Sequence, residues 1–189
     1  MMPLVKKHRK TPLVSSGFVW LTAVGCCLLG GRTPLLAGEV PDPELGYQFL
    51  TEKAYLPADF DQPTFDRLWQ NWPPEWKERA AEASVEERHK LAFNYYGLTV
   101  RPDDATQPLQ YVVDDKRNWV MNCFACHGGK VEGKVIPGLP NSHYLLHTLI
   151  EDVRMTKLLT GKKLTHMDLG SMAMPLGQNR GTTNAVMFG

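Results

Sequence analysis

The stretch Cys123-Phe124-Ala125-Cys126-His127, with Gly128-Gly129 directly behind it, constrains this chain more than any other. On a helical turn, thiols three positions apart fall on one side, and an imidazole at the next position stands beside them. A helical turn here would put these three groups on one side. A zinc site would need about four ligands and a second Cys or His pair. The other cysteines, Cys26 and Cys27, lie in an N-terminal segment that reads as a leader. A dithiol redox pair belongs beside a βαβ pattern, and none surrounds these residues. A Cys123–Cys126 disulfide would close a very small loop and leave His127 without a role.

Cys-x-x-Cys-His is also the attachment signature of a c-type haem, in which each thiol forms a thioether to a vinyl group. On these residues the sequence resembles the c-type cytochromes. The resemblance implies one covalently attached haem c, held by Cys123 and Cys126, with His127 as the proximal ligand of the iron. It also implies a cytochrome c-like fold over 109–189, exported from the cytoplasm, that moves single electrons. Such proteins carry a proline carbonyl near the proximal histidine, and Pro137 or Pro140 stands at the matching distance. Their distal ligand is often a methionine in a Met-Pro segment. Met174-Pro175 fits that pattern, with Met155, Met167, Met172 and Met187 as the other downstream methionines. Arg180 has the planar fork that suits a haem propionate. His143 and His147 stand four apart, which is also ligand spacing on a helix. No residue is assigned a catalytic role.

The first residues do not belong to the fold. Lys6, Lys7, Arg9 and Lys10 precede an uncharged run from Thr11 to Gly31, and Ala37 offers a small residue for cleavage. This is the pattern of a secretory signal peptide over 1–37, with an uncleaved anchor as the alternative and a lipoprotein cysteine at Cys26 as the third. Export to the periplasm, or to the outer face of the cytoplasmic membrane, agrees with haem attachment outside the cytoplasm. Without the leader, the chain carries 16 basic and 20 acidic residues. Glu39–Asn118 holds 9 basic against 16 acidic, and Trp119–Gly189 holds 7 against 4. The basic half suits an acidic redox partner rather than nucleic acid, and a membrane only where the leader is retained.

Between Glu39 and Leu98 the pattern is helical with proline breaks. Asp42-Pro43 starts a helix reaching Ala54, and Asp61 starts one with Phe65, Leu68, Trp69 and Trp72 on one face. Pro73-Pro74 opens a third, and Ser84-Val85-Glu86-Glu87 is a capping box for a fourth that stops at Gly97. The tryptophans read as core. Leu109–Val113 and Trp119–Met121 flank a polar turn and predict a hairpin that delivers the chain to Cys123. Asn141-Ser142 reads as the cap of a long helix ending at Gly161. The expected class is mainly α, with a helical region over 38–108 before the haem domain. Arg180-Gly181-Thr182-Thr183-Asn184 also resembles, more weakly, di-haem proteins of the cytochrome c peroxidase and rubber-oxygenase type. That resemblance implies an alternative, in which this is the front part of an enzyme with an open distal haem site.

Overall fold

The computed structural model describes residues 40–173 and 180–181. The expected leader, Met174 and Met187 lie outside the described residues. Seven α-helices and two small antiparallel sheets make up the described part, so the class is mixed and mostly helical.

The N-terminal helices begin where their caps dictate. Helix α1, Pro43–Glu52, has proline in its first turn, and the Asp42 carboxylate accepts the Glu44 and Leu45 N–H groups at 3.0 Å. Asp61 caps α2, Gln62–Phe65, by accepting from the Thr64 N–H. The single helix expected here is broken. After α2 comes a 3-10 turn, Leu68–Asn71, and Trp72 is already extended at ψ 159°. A residue that precedes proline is pushed out of the helical region, and Trp72 precedes Pro73-Pro74. Helix α3 then runs Pro74–Glu82, and α4 runs Val85–Tyr96 from the Ser84/Glu87 capping box to Gly97.

The expected hairpin is present as β2, Tyr111–Val113, and β3, Asn118–Met121. It gains a partner that the pattern did not reveal. Strand β1, Phe60–Asp61, pairs with β3 in the order β1-β3-β2, with Phe60 opposite Trp119. Two residues are too few to show a period. Their pairing carries Phe60 onto Trp119, and Trp119 stacks on Phe65 with ring centroids 4.2 Å apart. One core cluster thus takes Phe60, Phe65, Leu68 and Trp72 from before residue 108 and Tyr111, Trp119, Leu146 and Leu149 from after it.

The same core is pinned by polar groups. The Trp72 indole N–H donates to the Tyr96 hydroxyl at 2.7 Å, and that hydroxyl donates to Asp152 Oδ2 at 2.7 Å. Burial pushes the Asp152 carboxyl up to about 6. Trp69 and Trp76 pack against this cluster from its edge, as core residues do.

Helix α5 is a single turn, Phe124–His127, followed by a hairpin of β4, Gly128–Val131, and β5, Lys134–Pro137. Its two-residue turn, Glu132-Gly133, has both φ angles positive, at 49° and 79°. Such turns usually carry Asn-Gly or Asp-Gly, so Glu-Gly gave no hairpin signal. Helix α6, Leu146–Thr160, starts four residues later than Asn141-Ser142 suggested, because Asn141 is occupied elsewhere. It ends at Gly161, as expected, and α7 follows over His166–Ala173.

Candidate functional site

The turn that carries the motif is built on Asn122. Its Oδ1 accepts the Phe124 N–H at 2.9 Å, its carbonyl accepts from Ala125, and its own amide group donates to the Leu109 carbonyl at 2.9 Å. The His127 N–H then closes the turn on the Cys123 carbonyl at 3.0 Å. Phe124 and Ala125 go inward, 4% and 0% exposed, with the Phe124 ring 5.7 Å from that of Tyr47. Cys123 and His127 are exposed, Cys126 is half-buried, and none of the three joins the core beneath. The two thiols and the imidazole thus stand on the outward side. Neither thiol is in a disulfide.

A helix of four residues cannot satisfy its own last carbonyls, which need partners from outside. Here one segment supplies partners for three of them. The Gly138 N–H donates to the His127 carbonyl at 2.8 Å, the Asn141 N–H donates to that of Cys126 at 2.8 Å, and the Asn141 side-chain amide donates to that of Ala125 at 3.2 Å. The Gly129 N–H returns to the Leu139 carbonyl at 2.9 Å. Residues 138–141 therefore clasp the back end of the turn. The role of Asn141 is this clasp rather than a helix cap. Its Oδ1 also takes the His143 N–H at 3.1 Å, which folds the chain over before α6 can begin.

The clasp depends on close backbone approach at Gly129. A Cβ there would lie 2.4 Å from the Pro140 carbonyl oxygen and 3.0 Å from that of Leu139. The Pro140 carbonyl thus packs over Gly129, and Pro137 lies in β5 opposite Gly128. Gly129→Ala is expected to cost about 1–3 kcal/mol, the usual range for forcing an extra carbon into a packed place. Gly46→Ala is the control, because a Cβ at Gly46, inside α1, meets nothing within 4 Å. A methyl at an open helix position should be neutral or slightly stabilising. Urea denaturation of both variants checks this, and equal midpoints would show that the approach at Gly129 does not matter.

Burial pushes the Cys126 thiol up, and the neighbouring Cys123 adds to the rise. A nucleophilic thiol needs its thiolate favoured, and Cys126 is pushed the opposite way. Among the described residues, no group of three or more His, Cys, Asp or Glu side chains is placed to hold a metal ion on its own. A macrocycle that brings four nitrogen donors with its iron needs only one axial group from the turn, and His127 is exposed to give it. Two thiols and one imidazole on one open side of a fixed turn fit that need.

The other candidate residues are dispersed. Arg180 donates from Nη1 to the His143 carbonyl at 2.8 Å and from Nη2 to the Tyr95 carbonyl at 3.3 Å. It ties the end of α4 to the chain before α6. His143 and His147 do not share a helix face, since α6 starts between them. His147 Nδ1 is buried and has no hydrogen-bond partner among the described residues. Met167 is packed in the core, and Met155 and Met172 are exposed. Neither Gly138 nor the clasping role of Asn141 was evident from the sequence pattern. The signal for them was the shortness of the turn itself, stopped by two glycines with its carbonyls unsatisfied.

Searches of known proteins return no matching family model, no matching curated protein and no matching solved structure.

Proposed function

We propose that this chain is an exported c-type cytochrome that binds one haem c covalently and passes single electrons. The observation that carries the reading is the clasped turn, whose outward side holds Cys123, Cys126 and His127 while Phe124 and Ala125 anchor it in the core. Cys123 and Cys126 would hold the macrocycle through thioethers, and His127 would give a ring nitrogen to the iron. Once bound, the group supplies a one-electron couple between ferric and ferrous iron. The chain's own part is positional. The three bonds from Gly138 and Asn141 fix the turn, so His127 is oriented by the backbone that carries it. The hairpin that follows, with Val131 and Ile136 exposed, offers apolar surface next in the chain to the attachment turn. Met174 is the proposed distal ligand. An acidic redox partner suits the basic half of the chain. Export rests on the leader, and no helix among the described residues is long and apolar enough to cross a membrane.

The test is production of the full chain in cells that export it and attach haem, followed by haem staining of a denaturing gel and mass determination. The parent is expected to gain the mass of one haem and keep it through acid–acetone extraction. Cys123→Ala with Cys126→Ala should lose all of it, and His127→Ala most of it. In the oxidised parent, a far-red methionine–iron band that disappears in Met174→Ala would place the distal ligand. Parent protein without covalent haem would overturn the proposal.

A further inference from the structure

A cleft of about 630 Å³ opens between α4, the 97–106 stretch, β4 and the chain before α6. That volume lies within the range of small-molecule sites, about 300–1,000 Å³. Cys123, Cys126 and His127 are not among its lining residues. Its apolar lining is half-buried Phe93, buried Leu98 and exposed Val100, and its rim carries Lys130 and Arg180. The rim charges differ in how far they are compensated. Lys90 is paired with Glu86 at 3.0 Å, and His89 with Asp66 at 2.8 Å. Lys130 and Arg180 form no ion pair with any described carboxylate.

Arg180 is also held ready. Two of its five N–H groups are committed to the His143 and Tyr95 carbonyls, which fix the guanidinium at the cleft. The ordering of its long side chain is thus met before a ligand arrives. Gly97 makes room for this arrangement, since a Cβ there would lie 2.0 Å from the His143 carbonyl oxygen and 2.7 Å from Arg180 Nη1. An apolar lining beneath two uncompensated cations matches one chemistry, a small monoanion with an apolar body.

We infer that this cleft binds an amphipathic carboxylate, with the apolar body on Phe93, Leu98 and Val100 and the carboxylate between Lys130 and Arg180. The site stands independently of the haem proposal, and its test needs no haem signal. The full-length protein is titrated by calorimetry with octanoate, 1-octanol and acetate. Octanoate should bind one-to-one and at least tenfold tighter than octanol, and acetate should give no saturable heat. Lys130→Glu should weaken octanoate at least tenfold and leave octanol unchanged. Lys130→Gln should fall between parent and Lys130→Glu. Lys134→Glu, on the same hairpin but not lining the cleft, should leave both affinities as they are. Equal binding of octanoate and octanol would overturn the inference, as would no saturable octanoate binding. So would equal weakening by Lys134→Glu, which would reduce the effect to general charge.

Discussion

Lys157→Met is expected to lower the unfolding free energy by about 3–5 kcal/mol, the range for removing one partner of a buried ion pair. Lys157 and Asp168 are 3% and 1% exposed, and their charged atoms are 2.5 Å apart. The same ammonium donates to the Asp59 carbonyl at 2.5 Å and to the Thr165 hydroxyl at 3.2 Å. The Asp168 carboxylate also accepts the Thr165 N–H at 2.7 Å. One buried cation therefore ties α6 to the start of α7 and to the residue before β1. Without it, the Asp168 charge stays buried with only Thr165 for company. The pair itself is a different matter, because desolvation offsets much of its attraction. Lys157→Met combined with Asp168→Leu should thus recover most of the loss. Lys90→Ala, which removes an exposed partner of Glu86, should cost under about 1 kcal/mol. Guanidinium denaturation of the three variants checks this ordering. A double variant no better than Lys157→Met would show that the hydrogen bonds, rather than the stranded charge, hold these segments.

Buried charge is the feature that the sequence conceals best. Lys157 sits in the last turn of an amphipathic helix, where a lysine normally lies along the surface with its head in water. Nothing local reveals that Asp59 and Asp168, at distances of 98 and 11 residues, close over it. Helix ends were legible because a cap is a local transaction. Asp42, Asp61, Ser84 with Glu87, Gly97 and Gly161 each act within a few residues of themselves. The β2–β3 hairpin was legible for the same reason. What failed was whatever needed a distant partner. Strand β1 exists only because β3 is there to pair with it, and α6 starts late because Asn141 answers to Ala125 and Cys126. The site divides along the same line. The outward grouping of Cys123, Cys126 and His127 follows from helical spacing, whereas the 138–141 clasp and the tether of Arg180 depend on how the chain returns.

Asp59 carries the second large expectation, a fall in stability with rising pH that Asp59→Asn should reduce. Asp59 is 5% exposed, and among the described residues its carboxylate accepts only a long bond, 3.3 Å, from the Met121 N–H. Lys157 stands near, but its ammonium bonds the Asp59 backbone carbonyl and the Asp168 carboxylate instead. Burial therefore dominates, and with Asp168 close by the Asp59 carboxyl is raised to about 7, against the lowering effects of the Met121 bond and Lys157. In the unfolded chain the same group ionises near 3.8. Below that pH both states hold the proton, and Asp59 costs nothing. Between about 4 and 7 only the unfolded state releases it, so each rise in pH favours unfolding. Above 7 the native state ionises too, and the penalty stays constant. Each pH unit between the unfolded and folded ionisations is worth about 1.4 kcal/mol, and the whole effect is on the order of 2–4 kcal/mol. Asp152, raised to about 6 by burial, adds a smaller slope of the same sign in both proteins. Asp103, held near 2 chiefly by its bond from Arg101, acts only at lower pH. The difference between parent and Asp59→Asn thus isolates one carboxyl. Asparagine keeps an acceptor for the Met121 N–H and cannot ionise. Urea denaturation at pH 4.5 and pH 8 should find the two proteins close at the lower pH and the variant more stable at the higher. Two parallel pH profiles would mean that Asp59 ionises in the fold as readily as in water, with its charge met by Lys157 after all.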